Sequence, residues 1–407
     1  MLTGCSNCWA PLRAASFAEG MTQQPRIAMV AGETSGDLLA SLLLGGMRGL
    51  WPDLQVYGIG GPQMARQGFD AWWPSERLAV HGYSFELLRR LAELVRMRRQ
   101  LRARLLAEPP DVFIGVDAPD FNLALETDLR AAGIKTVHFV CPSIWAWRAD
   151  RVEKIRRAAD HVLCIFPFEP ALLAEHGITA TYVGHPLAGV IPMEPDRRAA
   201  RAQLGLRDGD AVLAILPGSR SAEVQYITPR FFEAAALIHQ AFPAIKMIVP
   251  AVPALQNRIE QAAHDCGLGD VLRIVPGQSH TVLAACDVTL IASGTATLEA
   301  ALFKRPMVIG YRMHPLSWRL MRRKQLQPWV GLPNILCNDF VVPELLQDDA
   351  TPQALAAAVL QWFDALEQDP DRMTALHQRF TALHESLQRN TPQLDADAIQ
   401  RVLANTA

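Results

Sequence analysis

The sequence lacks an uninterrupted run of about 18 apolar residues, the length that a membrane-spanning helix needs. Its most apolar stretch, residues 283–303, is interrupted by Asp287, Glu299 and the pair Ser293-Gly294. An excess of one charge is also missing, since the 407 residues carry a formal net charge of −2. The whole chain therefore has no field that would attract nucleic acid. We expect neither a membrane span nor a nucleic-acid partner.

Motifs for common cofactors and metals are missing as well. The sequence has no Gly-Lys-Ser/Thr, which excludes a P-loop, and Gly58-x-Gly60-Gly61 lacks the spacing of a dinucleotide fingerprint. No cluster of histidine, cysteine and carboxylate residues has metal-ligand spacing, and Cys5-x-x-Cys8 has no second pair for zinc. The seven cysteines are scattered, several within apolar runs, which is typical of reduced thiols in a cytoplasmic protein. We expect no metal and no cofactor.

Strand-like apolar runs alternate with helical patterns in two series. This alternation predicts an α/β fold of two Rossmann-like parallel-sheet domains. The first series comprises residues 26–31, 55–59, 111–116, 135–140, 161–166 and 181–183, and the second 211–216, 246–249, 271–275, 288–292 and 307–309.

The segments between and beyond these series set the expected boundaries. Residues 186–198 are rich in proline and charge and are predicted to be a linker, and the pattern after Arg312 is mainly helical. We predict an N-terminal domain over residues 21–188, a C-terminal domain over 189–385 and a C-terminal helix over 386–407. Residues 1–20 lack periodicity and precede Met21, so we expect them to be a non-native or disordered extension.

Two small-residue turns, one in each series, close an apolar run and open a helical pattern. They are Gly32-Glu33-Thr34-Ser35-Gly36-Asp37 and Ser293-Gly294-Thr295-Ala296-Thr297-Leu298-Glu299. Each places free backbone N–H groups and the positive end of a helix dipole at the carboxyl end of a strand, which suits a phosphate or another anion. The alternative is that both are ordinary N-caps. Together they favour a nucleotide-type site in a cleft that both domains share.

A third turn carries a candidate general base. Asp117 follows the apolar run 112–116 and should lie at the rim of the sheet, partly desolvated, where a carboxylate can accept a proton. The alternative is that Asp117 or Asp120 caps the following helix, and Asp120 fits that role better. This leaves Asp117 as the candidate.

Two further turns carry residues that can bind substrate. Pro217-Gly218-Ser219-Arg220 follows a strand, and Arg220 offers a fork of donors that matches phosphate, although a capping Ser219 with a surface arginine is the alternative. Trp145 and Trp147 follow another strand, where they could line a sugar or acyl site or pack in the core.

Residues 85–107 are predicted to form one strongly basic helix. Seven arginines share it with leucines that fall near one face. Such a helix can lie on an anionic membrane surface, with help from neighbours such as Trp72, Trp73 and Tyr83. A solvated charged face on a core helix is the alternative.

The ordered motifs resemble those of the lipid-A-disaccharide synthase family, inverting glycosyltransferases of bacterial lipid biosynthesis. Besides the two small-residue turns and the Pro-Gly-Ser-Arg segment, the resemblance rests on segments 116–122, 142–148, 183–186, 310–312 and 332–334, which occur in family order. It implies a glycosyltransferase-B fold whose two domains face a cleft, the first holding the acceptor and the second binding UDP.

The resemblance also implies a reaction and a set of roles. UDP-2,3-diacylglucosamine would react with 2,3-diacylglucosamine 1-phosphate (lipid X), releasing UDP and forming a β-1,6 disaccharide. Asp117 matches the family's proposed general base, Arg220 its essential arginine and Glu299 the carboxylate near the ribose. The implied substrate-binding residues are Gly32, Glu33, Ser35, Gly36, Asp37, Trp147, Gly218, Ser219, Ser293, Gly294, Thr295, Ala296, Thr297, Glu299 and Asn334. We further expect a homodimer with an exchanged helical tail, cytoplasmic and peripheral on the inner face of the inner membrane.

Two other functions remain open from the sequence. Another UDP-sugar enzyme of the same fold, such as a nucleotide-sugar 2-epimerase or a peptidoglycan N-acetylglucosaminyl transferase, would need no such lipid pair. A non-catalytic protein that binds a lipid or nucleotide would tolerate the loss of Asp117. Only the joint presence of Asp117 and Arg220 argues against the second alternative.

Overall fold

The computed structural model describes residues 24–78, 85–146 and 149–404, without the side chains of residues 33, 34, 85–91 and 316. The predictions for residues 1–20, Cys5, Cys8, Tyr83 and Trp147 lie outside these ranges. No helix within them combines the length and the apolar character of a membrane span.

The first half contains a parallel sheet of seven strands. Its order is β3-β2-β1-β4-β5-β6-β7, with helices on both faces. The strands are β1 (Arg26–Ala31), β2 (Gln55–Gly60), β3 (Asp70–Pro74), β4 (Val112–Val116), β5 (Lys135–Phe139), β6 (His161–Cys164) and β7 (Ala180–Tyr182).

The second half repeats this design with six parallel strands. Their order is β10-β9-β8-β11-β12-β13. The strands are β8 (Val212–Leu216), β9 (Lys246–Ala251), β10 (Leu272–Pro276), β11 (Val288–Ala292), β12 (Met307–Tyr311) and β13 (Glu344–Leu346). The predicted fold of two Rossmann-like α/β domains is therefore confirmed.

Two strands were absent from the sequence prediction, and both lie at the edge of a sheet. β3 starts at an aspartate, ends at a proline and has no buried residue, whereas β13 is only three residues long. Edge strands are paired on one side only and need no continuous apolar run, so their pattern is weak.

Seventeen α-helices connect and flank the strands in the described part of the chain. The helix predicted over residues 85–107 is confirmed with those bounds, whereas the predicted linker over 186–198 contains α7 and the start of α8. The helices are α1 (Glu33–Leu50), α2 (Pro62–Arg66), α3 (Phe85–Ala107), α4 (Pro119–Ala131), α5 (Val152–Ala158), α6 (Glu169–Ala174), α7 (Pro186–Val190), α8 (Arg197–Gln203), α9 (Ser221–Ala241), α10 (Gln256–Asp265), α11 (Ser279–Ala285), α12 (Thr295–Leu302), α13 (Pro315–Lys324), α14 (Leu332–Cys337), α15 (Pro352–Gln368), α16 (Pro370–Leu387) and α17 (Thr391–Ala404).

The end of the chain returns to the first half. In place of one helix over residues 386–407, α16 ends at Leu387 and α17 then packs against α1. The chain thus crosses between the halves twice, and the crossings lie side by side, since the backbone N–H of His185 donates to the carbonyl of Leu387 over 2.9 Å.

The strand order fixes where each sheet can hold a ligand. The order of the strands reverses between β1 and β4 in the first sheet and between β8 and β11 in the second. Ligands of open parallel sheets bind outside the carboxyl ends of the strands at such switch points. The two carboxyl edges face each other, because the N–H of Leu326, beyond β12, donates to the carbonyl of Ala146, beyond β5, over 2.8 Å. The switch points therefore open onto one cleft.

Candidate active site

The turn between β1 and α1 lies at the first switch point. Gly32 is the N-cap of α1, and a Cβ atom there would lie 3.2 Å from Cβ of Ala118, so this turn approaches the turn after β4. Ser35 is half-buried and Gly36 is buried in the first turn of α1, and the side chain of Glu33 is not described. The structure thus brings two of the predicted site segments together.

Asp37 is placed differently from the prediction. Its side chain is buried and accepts three backbone hydrogen bonds at the start of α2, from Gly61 at 2.9 Å, Gln63 at 2.9 Å and Met64 at 3.1 Å. A carboxylate that receives these N–H groups caps the helix. Asp37 therefore holds β2 and α2 against α1, and its substrate-binding role stays a prediction.

Asp117 and Ala118 adopt an unusual backbone conformation at the end of β4. Both have positive φ, +50° and +43°, in the left-handed region, which costs on the order of 1–3 kcal/mol for each non-glycine residue. The N–H of Asp117 donates to the carbonyl of Phe139 over 2.9 Å and so extends the ladder between β4 and β5. The half-buried Asp117 thus lies at the rim of the sheet, where a general base was predicted.

Asp120 is not the cap of the following helix. The N-cap of α4 is Ala118, with Pro119 in the first turn. The Asp120 carboxylate instead accepts two hydrogen bonds from Nη2 of Arg151, at 2.7 and 2.8 Å. The prediction was wrong because Pro119 has no N–H and its fixed φ favours the first helical position, which moves the cap two residues earlier, to Ala118.

Trp145 belongs to the core. Its indole Nε1 donates to Oε1 of the buried Glu169 over 3.0 Å, and its ring lies edge-on to Phe166 and Phe168. Burial raises the pKa of Glu169 to about 8. Of the two interpretations left open for this tryptophan, core packing is the one that the structure shows.

The turn after β8 brings an arginine to the second switch point. Gly218 has a φ of +111°, and a Cβ atom there would lie 2.7 Å from Oε2 of Glu223. Arg220, not Ser219, is the N-cap of α9, and its side chain is 62% exposed with Nη1 3.5 Å from Oε1 of Glu223. The backbone N–H groups of Ser219 and Arg220 lie 3.2 and 3.3 Å from Oε2 of the same carboxylate. A guanidinium and a helix N-terminus therefore converge at one turn.

The turn after β11 places the start of α12 beside it. Gly294 is the N-cap, and both Gly294 and Thr295 are exposed, with Ala296 half-buried. The Thr297 side chain is fully buried, and its hydroxyl and N–H both donate to the Gly294 carbonyl, at 2.7 and 3.1 Å. Gly294 to Ala296 are thus open to a ligand, whereas Thr297 stabilises the turn itself.

Ser293 and Glu299 are tied to neighbouring segments. Ser293 Oγ donates to the carbonyl of Val330 over 3.2 Å, and Glu299 Oε2 lies 3.2 Å from Nε2 of His280 on α11. The sequence prediction did not include His280. The carboxylate that was expected to accept from a ribose thus has an imidazole beside it that can orient it.

Asn334 has a structural role in this half. Its buried amide donates to the Val342 carbonyl and to Glu344 Oε1, at 2.9 and 2.8 Å, and accepts from the N–H groups of Val341 and Val342. Glu344 in turn accepts from the N–H of Val330 over 2.9 Å. These contacts support the segment that contacts Ser293, and the substrate-binding role of Asn334 stays a prediction.

Comparison with known proteins decides the family. A family model described as "Lipid-A-disaccharide synthetase" matches residues 27–399. A curated relative from Verminephrobacter eiseniae, named lipid-A-disaccharide synthase, is 72% identical over 380 residues, covering 93% of this chain and 98% of its own. One of the same name from Burkholderia pseudomallei is 51% identical, with 93% and 96% covered. The chain belongs to the lipid-A-disaccharide synthase family.

Solved structures agree on the architecture. The UDP-GlcNAc 2-epimerase of Neisseria meningitidis, bound to UDP-GlcNAc, superposes with a TM-score of 0.65 at 10% identity, covering 93% of this chain and all of its own. HepE of Anabaena, in complex with UDP-glucose, superposes with a TM-score of 0.55 at 13% identity and the same coverage. At these identities the likeness shows the fold alone. As a lipid-A-disaccharide synthase family member, the chain is a glycosyltransferase that forms the disaccharide of lipid A.

Proposed function

We propose that this enzyme transfers the diacylglucosamine unit of UDP-2,3-diacylglucosamine to the 6-hydroxyl of lipid X, with Asp117 as general base and Arg220 as the group that stabilises the departing UDP. The observation that carries this proposal is the pair of switch points on one cleft. One presents a rim carboxylate at Asp117, and the other presents the Arg220 guanidinium and the exposed start of α12. An inverting transfer needs these two functions on opposite sides of the anomeric carbon.

The second half suits the leaving group. The diphosphate gains negative charge as the sugar departs, and a guanidinium offers paired N–H donors that match phosphate oxygens. The N–H groups at the start of α12 add a fixed positive potential. Glu223 occupies the N–H groups of Ser219 and Arg220, so we propose that bound UDP displaces this carboxylate.

The decisive experiment measures UDP release from UDP-2,3-diacylglucosamine, with and without lipid X. We expect release only with lipid X, and a loss of at least about a hundredfold in Asp117→Asn, the usual scale for a general base. Asp120→Asn is the matched control, because that carboxylate lies on the same turn but pairs with Arg151. Turnover of plain UDP-GlcNAc without lipid X would support epimerase chemistry instead, and an active Asp117→Asn enzyme would reject the assignment of the base.

We also propose that the protein is peripheral on the inner face of the inner membrane, because both proposed substrates carry acyl chains. In α3, Arg96 and Arg99 are exposed beside Val95, whose exposed fraction is 38%. Trp72 does not serve as a free aromatic anchor, since it stacks on Tyr57 with ring centroids 4.7 Å apart and carries Arg104 on its ring. The contact with lipid headgroups would therefore come from arginines.

The structure adds a second basic helix that the sequence prediction did not single out. In α13, Arg319, Arg322, Arg323 and Lys324 are exposed around Leu320, which is 64% exposed, while Trp318 is half-buried. α13 follows β12 and so begins at the carboxyl edge of the second sheet. Cations flanking an exposed leucine are typical of a helix on an anionic bilayer.

Vesicle sedimentation tests the membrane proposal. We expect binding to vesicles that contain phosphatidylglycerol, weaker binding in high salt and little to pure phosphatidylcholine. The charge reversals Arg96→Glu/Arg99→Glu and Arg322→Glu/Arg323→Glu should each weaken binding, whereas Arg198→Glu, at an arginine 88% exposed on α8, should not. Equal binding of all variants would argue against a basic docking face.

The proposed homodimer rests on the family resemblance alone. In this chain α17 packs on its own α1, so an exchanged tail would replace that contact with the same contact between two copies. Sedimentation velocity at several concentrations gives the oligomeric state, and a concentration-independent monomer would reject the dimer.

A further inference from the structure

A row of buried polar side chains lies behind the Asp117 turn and plays no part in the proposed chemistry. Asn122 Nδ2 donates to the Asp117 carbonyl over 2.8 Å. Glu126 lies one helical turn further along α4, and its Oε1 is 2.7 Å from Nδ1 of His138 on β5. All three side chains are fully buried, with no exposed surface. Buried polar groups are costly in an apolar layer unless they are hydrogen-bonded.

Asn122 contacts the strained Asp117 turn directly. The Asn122 amide nitrogen also lies 3.3 Å from the carbonyl oxygens of Val30 and Val116, so three backbone acceptors surround it. The opposite amide orientation would place the side-chain oxygen against these three oxygens. The bond to the Asp117 carbonyl fixes the peptide plane that follows the left-handed Asp117.

Glu126 is packed against β4, on which Gly115 lies. A Cβ atom on Gly115 would lie 2.0 Å from Glu126 Oε1 and 3.1 Å from Cγ of Asn122. Glycine at this position therefore leaves the space in which both side chains sit. The Asn122 amide and the Glu126 carboxyl are neighbours behind β4.

The side chains of Asn122 and Glu126 each have an oxygen atom that lacks a hydrogen-bond donor among the described residues. Among the described residues, Asn122 Oδ1 and Glu126 Oε2 have no hydrogen-bond partner. A proton on Glu126 would satisfy both oxygens at once, because a carboxylic acid can donate through one oxygen and accept through the other. Burial raises the pKa of Glu126, with His138 opposing this shift, so a neutral carboxyl is favoured.

We propose that Asn122 and Glu126 are positioning residues for Asp117: His138 Nδ1–H donates to Glu126 Oε1, protonated Glu126 donates through Oε2 to Asn122 Oδ1, and Asn122 holds the Asp117 carbonyl. This chain of bonds maintains the left-handed turn that aims the general base. The inference rests on the proposed role of Asp117.

The test compares kcat and KM in variants that keep or remove the donor. Asn122→Ala and Glu126→Leu should each lower kcat about ten- to hundredfold, because a misplaced base loses much of its effect. KM for the UDP-sugar should stay within about twofold, since UDP is held in the other half. Glu126→Gln should retain most activity, as its amide can donate to Asn122 and accept from His138. Thr127→Val is the control, since that hydroxyl donates within α4, to the Leu123 carbonyl.

The double variant and the folding controls separate positioning from stability. The double variant Asn122→Ala/Glu126→Leu should have a kcat no lower than that of the slower single variant, because both changes break the same chain of hydrogen bonds. A kcat in Glu126→Gln as low as in Glu126→Leu, or an unchanged kcat in Glu126→Leu, would overturn the inference. Thermal unfolding of every variant identifies those that lose activity through loss of folding. Failure of Asp117→Asn to lose activity would instead overturn the base on which the inference rests.

Discussion

Lys304 and His384 form a buried hydrogen bond, with Nζ of the lysine 2.7 Å from Nδ1 of the imidazole. Nε2 of His384 lies 2.8 Å from the carbonyl of Ala188 in α7. The imidazole is therefore neutral, accepting at Nδ1 and donating at Nε2, and burial lowers its pKa in agreement with this state. Lys304 follows α12, so the bond joins the end of the proposed UDP-binding helix to both crossings between the halves.

We predict that His384→Ala lowers the free energy of unfolding by about 2–4 kcal/mol, because it leaves a cavity and removes the partner of two buried polar groups. Urea denaturation measures this change. His264→Ala is the control, since that side chain on α10 is 83% exposed, and it should change stability by less than about 0.5 kcal/mol. Equal stability of the two variants would show that the crossing does not depend on this contact.

A second prediction concerns Asp395 in α17, whose side chain is buried with no partner for either oxygen in the described part of the chain. Burial raises its pKa well above 3.8, so the folded protein keeps a proton that the unfolded chain loses. The Asp395 carboxyl therefore contributes to stability below about pH 3.8. This contribution is lost as pH rises through the raised pKa of the folded state. Asp395→Asn removes this loss and should be more stable than wild type at neutral pH.

The pH dependence of unfolding gives the sharper form of this test. The stability difference between Asp395→Asn and wild type should shrink as pH falls toward 4. Asp397→Asn, two residues along the helix and bonded to Gln393, should leave the pH dependence as it is in wild type. A constant difference between Asp395→Asn and wild type at all pH values would show that the carboxyl does not titrate with folding.

Much of the fold followed from the sequence because buried parallel strands are continuous apolar runs. Both switch-point turns were found for the same reason, since each joins such a run to a helical pattern. The structural contacts of Asp37 and Asn334 were not foreseen, because the sequence of a turn does not show whether a polar residue faces a ligand or caps a helix. What distinguishes them is a partner distant in sequence, the start of α2 for Asp37 and Glu344 for Asn334.

The polar chain behind Asp117 had no readable sequence signal. Asn122 and Glu126 are four residues apart on α4, a spacing that polar residues also have on many solvated helices. In the interior of β5 the polar residues are Thr136 and His138. Only the strand order, which places β5 beside β4, brings them together. Pair contacts of this kind depend on topology rather than on local pattern.

The proposed role of Arg220 predicts a loss of turnover without a loss of folding. Arg220→Ala should lower kcat by at least about a hundredfold, because the charge on the departing diphosphate loses its main cation. Arg220→Lys should recover only part of this loss, since an ammonium lacks the paired donors of a guanidinium. The kinetics of UDP release measure both. Near-wild-type turnover in Arg220→Ala would reject the role, and full recovery in Arg220→Lys would show that charge alone suffices.

Thr295 and Thr297 offer a matched pair at the start of α12. Thr295 is exposed at the open end of the helix, whereas the buried Thr297 hydroxyl bonds the Gly294 carbonyl. Thr295→Val should therefore weaken UDP binding severalfold with little change in the free energy of unfolding. Thr297→Val should lower the free energy of unfolding by about 1 kcal/mol. Isothermal titration with UDP and urea denaturation separate the two effects. If Thr297→Val alone weakened UDP binding, the ligand would contact the buried side of the turn, and the proposed diphosphate position at Gly294 to Ala296 would be wrong.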